Sequence, residues 1–144
     1  MTVTDLMKMS QADLDALFTK QAAGPIPDGP AKGTAIIAPG TVFTPEISSL
    51  ISIFAWQGKT FDAAHAVLTN KITAFGLNAI IATIYKEASW LDGKECIVLD
   101  YSKTSTVAHW IRDEIRLIDR GLYLGKVYWN KSRLMDFSLQ FAIS

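Results

Sequence analysis

The stretch IIATIYKEASWLDGKECIVLDY, residues 80–101, decides the reading of the fold. Apolar and polar side chains alternate on both sides of Asp92-Gly93, a dipeptide suited to the type I′ turn that matches the twist of paired strands. A two-residue turn there pairs Leu91 with Lys94, Trp90 with Glu95, Ala88 with Ile97, Lys86 with Leu99 and Ile84 with Tyr101. One face then collects Ile80, Ala82, Ile84, Ala88, Trp90, Ile97, Leu99 and Tyr101. The other carries Thr83, Tyr85, Glu87, Ser89, Lys94, Cys96 and Asp100, with Tyr85 placed for a cross-strand hydrogen bond to Asp100. A hairpin that is apolar on one side must bury that side.

A second hairpin is expected at the C-terminus, from Leu122 to Trp129 and Arg133 to Phe141 around a turn near Asn130-Lys131-Ser132. Its register sets Leu122, Leu124 and Tyr128 beside Met135, Phe137, Leu139 and Phe141. Asp136, Ser138 and Gln140 fall on the opposite side. Further strands are expected at 35–38, 56–61, 66–75 and 112–118, with a loop and short helix at 102–110. The total of about eight strands, joined mostly by short turns, suits an up-and-down barrel.

The N-terminal third reads differently. Ser10 can cap a helix whose Leu14, Leu17 and Phe18 share one stripe. Residues 22–33, rich in Gly and Pro, read as an irregular loop. Thr44-Pro45-Glu46 has the composition of a helix start, and Ile47, Leu50, Ile51 and Phe54 follow at helical spacing. The chain is thus expected to be one domain, 1–144, with residues 1–55 as helical and loop cover plus one strand and 56–144 as the barrel body.

Bulk properties bound the function. The 144 residues can bury a core without metal or disulfide staples. Lys+Arg and Asp+Glu balance at 14 each, so the basic excess of a nucleic-acid binder is missing. Cys96 is the one cysteine and can form no intramolecular disulfide. Residues 1–9 do not have the pattern of a signal peptide, and no run of 18 apolar residues suggests a membrane span. A cytoplasmic protein is the expectation.

Chemistry-bearing residues are sparse. His65, His109 and Cys96 have no metal-ligand spacing, and no cofactor is expected. Cys96 with His109, or Ser102 and Ser105 with His109 and Asp113, could be drawn as nucleophilic sets. No nucleophile elbow surrounds either serine, and a strand cysteine is usually a packing residue. The densest polar cluster is Arg112-Asp113-Glu114 with Arg116. On a strand, Arg112, Glu114 and Arg116 share one face, either solvated and ion-paired or turned into a barrel mouth, where an arginine fork could hold a polar head. Tyr101, Tyr123 and Tyr128 could add hydroxyls there. Trp56 and Trp90, at strand ends, are read as plugging or lining residues.

The residues Trp56-Gln57-Gly58-Lys59-Thr60-Phe61, the segment from Tyr101 to Arg112-Asp113, Leu122-Tyr123-Leu124-Gly125 and Phe137-Ser138-Leu139 resemble landmarks of lipocalin-like (calycin) barrels. More narrowly, they are similar to bacterial GXWXG-type domains of unknown function, with Phe54 standing where that motif has its first glycine. The resemblance covers Trp56 to the C-terminus and implies a cup for a small apolar or amphipathic molecule. The functional expectation is a binding protein with Tyr101, Arg112, Glu114, Arg116, Tyr123, Trp56 and Trp90 as candidate ligand contacts. The alternatives are a small-molecule enzyme (isomerase, lyase or hydrolase) using Asp100, Tyr101, His109, Arg112 and Glu114, and a self-associating module or homodimer. The last draws on zero net charge and a mean hydropathy of +0.20.

Overall fold

A computed structural model of the chain describes residues 1–37, 44–45, 48, 59–70, 80–104 and 109–143. Eight antiparallel strands close into an up-and-down barrel in chain order. They are β1 (Gly29–Ile36), β2 (Lys59–Asp62), β3 (Val67–Asn70), β4 (Ile80–Ala88), β5 (Glu95–Asp100), β6 (Ile111–Asp119), β7 (Leu122–Trp129) and β8 (Ser132–Phe141). Two helices precede them, α1 (Val3–Met7) and α2 (Gln11–Lys20). The expected helical stripe of Ile47, Leu50, Ile51 and Phe54 lies outside the described residues, as do Trp56 and the second half of the 66–75 strand. Among the described residues no helix is long and apolar enough to cross a membrane.

The helix starts follow from their caps. Thr2 and Asp5 form a reciprocal capping box at α1, which the sequence reading had not anticipated. The Ser10 hydroxyl accepts from Asp13 N at 3.1 Å and opens α2. Leu6, Leu14 and Phe18 then bury completely, packing with Ile36, Cys96, Val98, Leu122 and Leu124 in a layer separate from the main core. That layer lies on the outer face of the wall, so β7 is buried on both sides.

The main core lies inside the barrel and gathers Phe61, Leu68, Ile84, Leu99, Ile115, Val127, Phe137 and Leu139, among others. Ile97 and Leu99 of the first hairpin thus share a common interior with Phe137 and Leu139 of the last. The two hairpins do turn their apolar sides to one space.

Three local expectations are corrected. First, Gly29–Ile36 is a strand and not part of a loop, and it closes the barrel by pairing with β2 and β8. Pro30 is tolerated because it stands at the strand's start, before the β8 ladder begins at Ala31. The barrel wall therefore draws on residues assigned to the cover.

Second, Asp92-Gly93 does not make a two-residue turn. Ala88 pairs with Glu95 and Ile84 with Leu99, two residues away from the expected register, and residues 89–94 form a six-residue loop. A shift of two preserves the faces, so the inward set of Ala82, Ile84, Ile97, Leu99 and Tyr101 stands. Trp90 leaves the strand and is 48% exposed. The loop wins because β6 holds it: Glu114 accepts from Ser89 Oγ and Trp90 N, while Asp92 is taken by Arg116.

Third, β7 is turned over. Asn130 and Lys131, both at positive φ, make the tight turn, and Tyr128 pairs with Arg133. A bulge then inserts Leu134, so that Val127 pairs with Met135, Gly125 with Phe137 and Tyr123 with Leu139. Tyr123 and Val127 face inward, whereas Leu122, Leu124 and Tyr128 face outward. The outward residues are apolar because the helices cover Leu122 and Leu124. The strand expected at 112–118 is present as Ile111–Asp119, and the described part of the one expected at 56–61 runs Lys59–Asp62.

Gly125 shows how tightly the inner wall is fitted. A Cβ built there would stand 2.3 Å from Cε1 and Cζ of Phe137. Gly125→Ala is therefore expected to destabilise the barrel by about 1–3 kcal/mol through overpacking, although alanine normally suits a strand better than glycine. A lowered urea midpoint checks this; an unchanged or raised one would show that the Phe137 ring moves aside freely.

Candidate functional site

Strand alternation fixes what the interior contains. On β6, Ile111, Asp113 and Ile115 point inward and Arg112, Glu114 and Arg116 outward, because Asp113 shares its face with Leu99 and Val127. On β2, Lys59 shares the inward face of Phe61 and lies opposite Ala31. On the far side of β1, Ala31, Gly33 and Ala35 face Phe141, Leu139 and Phe137. Among the described residues the buried part of the lumen is lined mainly by aliphatic and aromatic groups, and Lys59 and Asp113 are buried with them. They are 3% and 4% exposed. Tyr101, fully buried, adds a hydroxyl.

At the end of the lumen carrying the 120–121 turn, Phe61 and Tyr123 each meet Phe141 edge-on, with ring centroids 5.3 and 5.5 Å apart. The Tyr123 hydroxyl donates to the Pro25 carbonyl at 2.8 Å. This end is an aromatic plug.

The electrostatics of Lys59 and Asp113 follow from burial. Desolvation pushes the Asp113 carboxyl up to about 7, against the opposing pull of Lys59's positive charge and a hydrogen bond from Tyr101. Desolvation likewise pulls the Lys59 ammonium down to about 8, with Asp113 working the other way. Asp113 Oδ1 has no hydrogen-bond partner among the described residues. A buried carboxylate oxygen without a donor is costly in a finished core and useful in a site that receives one.

The outer-face residues have another role. Arg116, expected in a barrel mouth or on a solvated face, is in neither: it is fully buried beneath α2. It pairs with Asp92 at 2.7 and 2.8 Å and donates to the carbonyls of Phe18, Lys94 and Glu95. Its guanidinium lies 4.3 Å from the centre of the Phe18 ring. Arg112 spends its donors on Glu87, Glu114 and the Ala88 carbonyl and stacks on Trp90. Glu114 is buried under the 89–94 loop. Together these three brace the loop and α2 against the sheet.

An outer pocket of about 300 Å³ is lined by Tyr85, Trp90, Asp100, His109, Trp110 and Arg112, among others. Three of the five residues named for an enzyme, Asp100, His109 and Arg112, meet there. Tyr101 lies inside the barrel and Glu114 under the loop. Tyr85 donates to Asp100 at 2.8 Å, as its cross-strand position implied. Cys96 is buried, and burial holds its thiol up to about 12, far from a reactive thiolate. Among the described residues no group of His, Cys, Asp and Glu could hold a metal ion. Trp56 lies outside the described residues.

Sequence reasoning kept Tyr101 and missed Lys59 and Asp113 as a pair. The signal for Asp113 was present, since it shares its strand face with Ile111 and Ile115. Nothing local pointed to Lys59.

The chain's fold matches a solved protein, the crystal structure of a protein from Thermomonospora curvata, with a TM-score of 0.62. The match covers 93% of this chain and 88% of that one at 13% identity. The likeness is one of fold alone. No protein-family model matches the chain, and the curated proteins compared with it give no match. The eight-stranded antiparallel barrel is consistent with the lipocalin-like reading, while the narrower GXWXG resemblance has no support from these comparisons.

Proposed function

We propose that the protein binds a small hydrophobic or amphipathic molecule inside the barrel, with the ligand's polar group at Lys59, Asp113 and Tyr101. One observation carries this reading: among the described residues a lysine and an aspartate are both buried on the inner face of a mainly apolar barrel, and Asp113 Oδ1 lacks a donor among them. Burying two ionisable groups is unfavourable for folding and gives nothing that aliphatic side chains would not give better. A few convergent polar groups within an apolar lining are the usual form of a small-molecule site. Tyr101 belongs to the polar end and Tyr123 to the plugged end. Arg112, Glu114, Arg116 and Trp90 act on this ligand only through the wall they brace.

The test is displacement of anilinonaphthalenesulfonate by decanoate and by decanol, with native mass spectrometry of the complexes. Decanoate is expected to bind, and Lys59→Met to weaken it by about tenfold or more, the value of one charge-assisted hydrogen bond, while decanol changes less. Absence of binding by both, or equal affinities for decanoate in wild type and variant, would overturn the reading.

A further inference from the structure

Outside the lumen, the described residues hold a feature that the binding reading leaves unused, the outer pocket of about 300 Å³. Two tryptophans line it, and both stand open to solvent. Trp90 is 48% exposed and Trp110 51%. Both are held in place. The Trp90 ring has the Arg112 guanidinium 4.2 Å from its centre and the Tyr128 ring edge-on at 5.2 Å. The Trp110 ring lies 4.2 Å from that of His109, and the Trp110 carbonyl accepts from Asn130 N at 3.0 Å.

Polar groups complete the lining. Asp100 accepts from the Tyr85 hydroxyl at 2.8 Å and from Ser102 N and Oγ at 2.9 and 2.6 Å, so three donors orient its carboxylate. Asn130 and Lys131 form the two-residue turn between β7 and β8, with φ of 48° and 70°. Such a turn prefers Asn-Gly, because glycine has no Cβ to strain at positive φ. This chain keeps a lysine there instead, and that lysine lines the pocket.

We infer that the outer pocket binds a saccharide, with one pyranose ring against the tryptophans and its hydroxyls on Asp100, Asn130 and Lys131. The site is separate from the lumen and independent of the binding reading above.

The class of ligand follows from the lining. A pyranose carries polarised C–H groups, which the negative face of an indole attracts. Its hydroxyls each donate and accept, which suits a carboxylate, an amide and an ammonium set around one ring. Charge narrows the class further. Arg112 is neutralised by Glu87 and Glu114, so with histidine neutral the other charged groups of the lining are Asp100 and Lys131, of opposite sign. An anion would meet Asp100 and a cation Lys131, whereas a neutral polyol incurs neither repulsion. The volume is at the small end for ligand pockets, which suits a single sugar ring.

The experiment titrates the intact protein with the methyl glycosides of glucose, galactose, mannose and N-acetylglucosamine. Binding is followed by tryptophan fluorescence and by saturation-transfer NMR of the sugar protons, with benzoate and tryptamine as an aromatic anion and cation. At least one glycoside is expected to bind in the millimolar range, as a few hydrogen bonds at an open site allow. Trp110→Ala and Asp100→Asn should each weaken it by about fivefold or more, the value of one aromatic contact or one hydrogen bond. Lys131→Gly should weaken it by a similar factor while raising the urea midpoint, because the turn relaxes. A lysine present only for the turn would give neither change in that direction together. Trp110 and Lys131 are exposed, so these variants keep the fold, and their urea midpoints check it. Absence of binding by every glycoside, or binding that all three variants leave unchanged, overturns the inference. So does binding of benzoate or tryptamine with no glycoside bound.

Discussion

Arg116→Ala is expected to lower the stability of the fold by about 3–5 kcal/mol, the usual cost of removing one partner from a buried ion pair. The guanidinium is fully buried, and its N–H groups engage Asp92 and three backbone carbonyls from α2, the 89–94 loop and β5. Truncation leaves those carbonyls without their donor and Asp92 without its partner, and it removes the face on which Phe18 rests. Lysine should not rescue the loss, because one ammonium cannot span Asp92 and the backbone acceptors at once. Urea unfolding of Arg116→Ala and Arg116→Lys checks this, and a loss below about 1 kcal/mol for both would show that the brace is dispensable. The same pairing holds the Asp92 carboxyl down to about 2. Its contribution is therefore present above the unfolded value near 4 and disappears as the pH falls toward 2.

The second large effect is a stability minimum near neutrality, produced by Lys59 and Asp113. Asp113 is raised to about 7 in the folded protein, so between about pH 4 and 7 the unfolded chain gives up a proton that the folded one keeps. Stability falls through that window by about 1.4 kcal/mol per pH unit, to a limit of roughly 4 kcal/mol. Lys59 is lowered to about 8, so between about pH 8 and 10.5 the unfolded chain holds the extra proton and stability rises again. The two sites share charge, so the contributions are coupled rather than additive. Wild-type stability minus that of Asp113→Asn, measured from pH 4 to 7, isolates the falling limb from the other carboxylates. A difference that stays flat across that range would mean Asp113 ionises as an ordinary surface acid, and the polar end of the lumen would lose its basis.

One ambiguity in the sequence hid the inward placement of Asp113. Residues 111–116 alternate, and alternation says which side chains share a face without saying which face is inside. Arg112, Glu114 and Arg116 looked like the functional set because charge is conspicuous, while Asp113 was hidden between two isoleucines. The three conspicuous residues hold a loop and a helix, and the inconspicuous aspartate enters the lumen, as Lys59 does.

What the sequence determined by itself is the local alternation: strands of period two with a capped helix ahead of them, and one apolar side for each hairpin. These follow from backbone geometry and side-chain chemistry over a few residues. Only the tertiary structure decided the six-residue loop over Asp92-Gly93, the bulge at Leu134 that turns β7 over, and the recruitment of Gly29–Ile36 to close the barrel. Each was settled by partners distant in sequence: Arg116 and Glu114 for the loop, the helix layer for β7, and β2 with β8 for β1. A local pattern cannot register such contacts, because the free energy that selects them exists only once the partners have met.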